Sequence, residues 1–310
     1  MMFALWVAAL AASLPAEKQI AASGPMAPLA GTLVDAGKGA PVVLVIPGSG
    51  PTDRDGNSPL GIKAAPYRLL AHRLSEHGIS TVRADKRGLF GSKAAVADAN
   101  KVSIADYVAD TRNWIDSIRK ETGAKCVWLL GHSEGGLIAL TAAQQPAGVC
   151  GVITVAAVGR RFGDVIRQQL KANPANAPLL PPALAALESL EQGKRVDSAT
   201  LPAPLQPLFA NDTQSYLIEL LAEKPDSLAA RLTVPLLVAQ GDRDIQVTVD
   251  DAKALAAAQP AARLAILPGV NHVLKVPESD DRVANLAAYA NPDLPVAQAL
   301  VDAIVEFVRP

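Results

Sequence analysis

The chain is 310 residues long, and 29 basic against 30 acidic side chains leave a formal charge of −1. Half of the residues are hydrophobic and 19 % are charged, ample for a large core and too apolar for disorder. The balanced charge, with no basic run, argues against a nucleic-acid partner, and two cysteines cannot build a disulfide scaffold.

Residues 1–16 carry no charge, and MMFALWVAALAAS is apolar or small throughout. The run is shorter than the roughly 20 residues that span a bilayer, so stable membrane insertion is not expected. It matches the apolar region of a secretory signal, with Ala11, Ala12, Ser13 and Ala16 as small residues for cleavage. A Lys or Arg ahead of it is missing, and the competing reading is a first helix or strand packed on the body. The expectation is export, to the periplasm or beyond, with no cysteine here for lipid attachment.

From residue 29 onward, strands and helices alternate. Residues 29–34 and 41–46 read as strands, and the unbroken apolar run PVVLVI suits a strand buried on both faces. Residues 67–77 read as a helix, 79–84 as a strand, and Ser103 with Asp106 forms a capping box opening a long helix up to Gly123. Then follow a strand at 126–130, a helix at 135–145 and a strand at 149–158. Between Arg161 and Leu232 the rhythm breaks: eight of the 24 prolines lie there, predicting short, broken helices and no strand. Alternation resumes with strands at 235–240 and 262–267 and helices at 249–258 and 296–308. Length alone suggests about two domains. The pattern predicts instead one α/β core, residues 17–160 and 234–310, with a mostly parallel sheet, helices on both faces and a helical insertion at 161–233.

Gly131-His132-Ser133-Glu134-Gly135-Gly136 lies between a strand and a helix. A serine on so sharp a turn is lifted out of the sheet, provided that its neighbours two residues away are small. No other serine has glycine at both positions, so Ser133 is the candidate nucleophile. A serine hydroxyl needs a base, and the base needs an orienting acid. Of four histidines only His272 follows Ser133, in a loop just past a strand. Asp242 and Asp244 follow the strand before it and compete for the acid role. Asp244 is favoured because it lies further past the strand end, where it can turn back toward the imidazole. An oxyanion hole needs two backbone N–H donors; Glu134 supplies one, and Ser49 in Pro47-Gly48-Ser49-Gly50-Pro51 is the candidate for the other.

These pieces resemble the α/β-hydrolase fold superfamily, in a bacterial branch of esterases and serine aminopeptidase-like hydrolases. The matching stretches are GSGPTDRDGNSP, DKRGLFGS, GHSEGG, QGDRDIQV and GVNHVLK, spread over residues 42–308. The resemblance implies an α/β-hydrolase fold with a variable cap between the sixth and seventh strands, and it places the catalytic acid on Asp244. Pro47 stands where many members have histidine. Asp53, Arg54 and Asp55 are candidates for binding substrate or closing the rim; the plainer reading is a salt-bridged loop. Asp53, Asp55 and Asn57 begin like a calcium loop, but Ser58 and Ala64 lack its glycine and glutamate. No metal and no cofactor is expected, and the partner is a small-molecule ester or amide. The expected activity is a serine hydrolase of the carboxylesterase type, with an amidase or aminopeptidase-like peptidase as first alternative and a non-catalytic binding module as second. Cys126 and Cys150 fall near the starts of two strands that should be neighbours, as a disulfide or as two buried thiols.

Overall fold

The computed structural model describes residues 15–309. The expected export signal lies outside them except for its last two residues. In chain order the elements are β1 (Glu17–Ala22), β2 (Leu29–Val34), β3 (Val42–Ile46), α1 (Pro66–Glu76), β4 (Ser80–Ala84), α2 (Ile104–Thr122), β5 (Val127–His132), α3 (Glu134–Ala142) and β6 (Val149–Val155). They continue with α4 (Phe162–Ala172), α5 (Leu180–Glu191), α6 (Gln214–Ala222), α7 (Pro225–Ala230), β7 (Leu236–Gly241), α8 (Val249–Ala258), β8 (Arg263–Leu267), α9 (Arg282–Ala287) and α10 (Gln298–Val308).

The strands form one sheet in the order β1-β2-β4-β3-β5-β6-β7-β8. The two pairings that involve β2 are antiparallel, and every pairing from β4 to β8 is parallel. All five residues of β3 are buried, as its apolar run requires for a central strand covered on both faces. One face packs Trp114, Ile115 and Ile118 of α2 with Leu137 and Ile138 of α3. The other packs Leu70 and Leu74 of α1 with Leu300, Val301 and Ile304 of α10. Ser103 caps α2 as expected: its hydroxyl accepts from Asp106 N–H at 3.1 Å, and the Asp106 carboxylate accepts from Ser103 N–H at 3.0 Å.

Three expectations need correction. The sequence reading missed β1, an edge strand with only one buried residue, whose alternation is hidden in EKQIAA. The sixth strand ends at Val155 rather than at residue 158, because Ala156 turns into the left-handed region at φ 51°. Between β6 and β7 the chain has no strand, as expected, but its helices are less broken than the prolines implied. Pro181 and Pro182 sit in the first turn of the 12-residue α5, where a missing N–H costs nothing.

Cys126, just before β5, and Cys150 in β6 form a disulfide across neighbouring parallel strands, with Cα atoms 5.1 Å apart. It closes a loop over a sequence separation of 24. Replacing both cysteines with serine should lower the unfolding free energy by about 2–4 kcal/mol through loop entropy. Urea unfolding of this variant beside the oxidised protein measures it; equal midpoints would mean the bond does not form.

Candidate active site

Ser133 sits between β5 and α3 with φ 54° and ψ −122°, a backbone geometry that a residue with a Cβ rarely adopts. Such strain costs on the order of 1–3 kcal/mol and persists only where the surroundings impose it. The imposition is visible at the glycines. A Cβ on Gly131 would lie 2.1 Å from the carbonyl oxygen of Gly135, and one on Gly135 would lie 2.3 Å from that of Ile46. Strand, helix and the end of β3 therefore meet at a spacing that only hydrogen side chains permit. Glu134 begins α3, so its N–H belongs to the free first turn at the positive end of the helix.

His272 and Asp244 meet as expected. His272 Nδ1 lies 2.8 Å from Asp244 Oδ2, with the Asp244 side chain fully buried and that of His272 8 % exposed. Asp244 follows β7 at a turn where its Oδ1 accepts from the N–H groups of Gln246 at 2.7 Å and Val247 at 3.0 Å. Burial opposes its ionisation, but the His272 charge and hydrogen bond, with these two amides, outweigh burial and hold the carboxyl below its ordinary pKa. An ionised Asp244 holds the Nδ1–H tautomer of His272 and leaves Nε2 as the basic nitrogen. Asp242 is occupied elsewhere: its Oδ1 accepts from Gly269 N–H at 2.7 Å. Among the described residues, neither Ser133 Oγ nor His272 Nε2 is diverted to another hydrogen-bond partner.

Sequence reasoning missed a polar chain that ties three loops together. Gly48 N–H, in the loop after β3, donates to Tyr67 Oη at 3.2 Å, and Tyr67 Oη lies 2.8 Å from His132 Nδ1. His132 Nε2 in turn lies 2.9 Å from the backbone oxygen of His272. Burial, helped by the nearby His272 charge, lowers the His132 pKa to about 3. Burial likewise pushes the Tyr67 phenol up. Tyr67 is therefore the donor to Nδ1, and neutral His132 donates through Nε2 to His272. His132 thus has a structural task and is not a second base. Nothing local in the sequence marks Tyr67, because its role arises only when α1 packs beside β5.

Ser49 and Glu134, the expected oxyanion donors, lie on adjoining segments. A Cβ on Gly48 would stand 3.2 Å from Ser133 Cβ, so the loop after β3 runs directly against the nucleophile. Among the described residues neither the Ser49 N–H nor the Glu134 N–H donates to a protein acceptor. Beside them opens a hollow of about 430 Å³, lined by Gly50, Lys86, Tyr107, Glu134, Pro207 and Tyr216 among others. Pro207 and Tyr216 come from the insertion between β6 and β7, which therefore forms one wall.

Asp53, Arg54 and Asp55 are not in that hollow. Arg54 pairs with Asp85 at 2.6 Å and also donates to Gln19 at 2.8 Å; Asp55 pairs with Arg83. Asp53 Oδ1 accepts from the N–H groups of Asp55 and Asn57 at 2.9 and 2.8 Å. The structure thus places Arg54 and Asp55 in salt bridges to the neighbouring strand region and Asp53 in hydrogen bonds within its own loop.

Comparison with known proteins agrees with this fold. The chain superposes on α/β hydrolase GrgF from Penicillium sp. sh18 with a TM-score of 0.63 at 17 % identity, covering 95 % of this chain and 98 % of that one. It superposes on the Pyrococcus furiosus esterase Pf2001 with a TM-score of 0.57 at 14 % identity, covering 95 % and 92 %. The chain has the α/β-hydrolase fold. The family described as serine aminopeptidase, S33, matches residues 60–203 of this chain, which includes the elbow but ends before Asp244 and His272. Esterase EstD from Thermotoga maritima is 29 % identical over 216 residues, covering 68 % of this chain. The chain spans about half the length of that curated relative, 48 % of which is matched.

The two aspartates give a direct test of this arrangement. Asp244→Asn should lower kcat on a small activated ester by about 10³–10⁴, while Asp242→Asn should change it by less than about threefold. Steady-state kinetics on both variants decide the assignment; the reverse order of losses would overturn it.

Proposed function

We propose that this α/β-hydrolase is a serine carboxylesterase acting through Ser133, His272 and Asp244. The observation that carries the reading is the buried 2.8 Å contact of Asp244 with His272, together with a strained Ser133 whose hydroxyl has no hydrogen-bond partner among the described residues. Ser133 Oγ attacks the carbonyl carbon while His272 Nε2 takes its proton, and Asp244 stabilises the resulting imidazolium. The carbonyl oxygen, now negative, accepts from the N–H groups of Glu134 and Ser49, each donor typically worth about 3 kcal/mol. His272 returns the proton to the leaving alcohol, giving an acyl-serine. Water, deprotonated by His272, then releases the acid and restores the hydroxyl.

An ester of small to medium size suits a hollow of about 430 Å³. The likeness to Esterase EstD supports an ester substrate. The buried carboxylate of Glu134 in the wall, with the serine aminopeptidase family match, supports a second reading in which the same triad cleaves an amide next to a free amine. We further propose that the protein is exported. The uncharged apolar run at residues 1–16 supports this, as does the Cys126–Cys150 disulfide, a bond that persists in oxidising compartments.

Ser133→Ala should reduce hydrolysis of p-nitrophenyl butyrate by at least about 10³-fold. The wild type should favour a small ester over the aminoacyl amide matched to it in kcat/KM. Unchanged hydrolysis in the alanine variant would overturn the serine mechanism; a clear preference for the amide would replace the first reading by the second.

A further inference from the structure

Lys86 has no part in the triad, yet it touches the loop on which the oxyanion hole depends. It follows β4 within the stretch DKRGLFGS, and its Nζ donates to the backbone oxygen of Gly48 at 2.7 Å. That oxygen and the Ser49 N–H belong to one peptide group. The peptide is planar and trans, so its N–H points opposite to its C=O. Whatever fixes the direction of the Gly48 carbonyl therefore fixes the line along which Ser49 donates.

We propose that Lys86 is a positioning residue that sets and polarises the Gly48–Ser49 peptide for the oxyanion hole, an inference that rests on the serine-hydrolase reading. Three observations support it. The loop is rich in glycine, with Gly50 at φ 69°, so its backbone has little intrinsic resistance to a peptide flip. The preceding amide is already pinned through the Gly48 N–H bond to Tyr67 Oη at 3.2 Å. The Lys86 bond pins the following one, and together they hold the loop against Ser133, where a Gly48 Cβ would come within 3.2 Å of the serine Cβ. A charged donor on a carbonyl also draws electron density away from the amide nitrogen, which makes the N–H of that peptide a stronger donor.

The surroundings of Lys86 fit the task. Its ammonium lies 5.7 Å from the centre of the Tyr107 ring, and Glu134 shares the same hollow. No carboxylate among the described residues approaches it within salt-bridge distance. Its charge is consequently not cancelled by a direct partner and remains behind the position where the oxyanion forms. Burial lowers the Lys86 pKa from its ordinary value, and the negative charge of Glu134 opposes that change.

The role predicts a loss confined to the transition state. Lys86→Met should lower kcat on p-nitrophenyl butyrate by about 10–100-fold, somewhat less than removal of an oxyanion donor itself, with KM within about twofold. A trifluoromethyl ketone, which forms a tetrahedral adduct with the serine, should weaken by a similar factor. Thermal melts identify variants that fold, and Lys86→Leu, which likewise removes the donor, takes the place of Met if that variant does not. Unchanged kcat, or a fall in kcat with undiminished ketone affinity, would overturn the proposal. Hydrolysis by the wild type that survives Ser133→Ala would instead overturn the serine reading on which it rests.

Discussion

A serine held at φ 54° and ψ −122° needs its surroundings to impose the geometry, and three segments converge here to do so. β5 and α3 close on each other at Gly131 and Gly135, and the end of β3 closes on Gly135 from the side. No side chain fits into these contacts. The half-buried Ser133, the free amide of Glu134 and the nearness of the Gly48–Ser49 loop all follow from that one convergence. Substituting either glycine would displace strand, helix and loop together.

Around the turn, polar groups lock loops that the sheet alone does not fix. Neutral His132, protonated Tyr67 and the Gly48 amide connect the loop after β3, helix α1, the elbow and the His272 loop by three successive hydrogen bonds. Neutrality at His132 matters: in the mechanism we propose, a second imidazolium beside His272 would resist the charge that His272 acquires in the transition state. Desolvation therefore keeps His132 neutral and fits it to a structural task. Asp244 illustrates the opposite balance, since its amides and His272 outweigh burial and keep it charged.

Much of this was legible in the sequence because it is encoded locally. The apolar run of β3, the capping box of α2 and the Gly-x-Ser-x-Gly spacing each report a nearby physical requirement. Asp244 could be preferred over Asp242 only by its distance past the strand, and the structure supplies the reason: the Asp242 carboxylate is spent on the Gly269 amide. What remained hidden depends on tertiary contact. Strand β1 is an edge strand with little burial, so no hydrophobic alternation marks it. The prolines at the start of α5 carry the same local signal whether they break a helix or open one. Tyr67 and Lys86 look like an ordinary helix tyrosine and a loop lysine until the sheet brings them to Gly48.

The central claim is that carbonyl chemistry passes through a covalent intermediate on Ser133. Acid quenching within milliseconds of mixing the protein with p-nitrophenyl acetate, followed by proteolysis and mass spectrometry, tests it most directly. The account predicts a single acetyl adduct of 42 Da, the mass gained when acetyl replaces the hydroxyl proton in the acyl-enzyme, on the peptide containing Ser133. An adduct elsewhere, or turnover with no acylated serine, would contradict it.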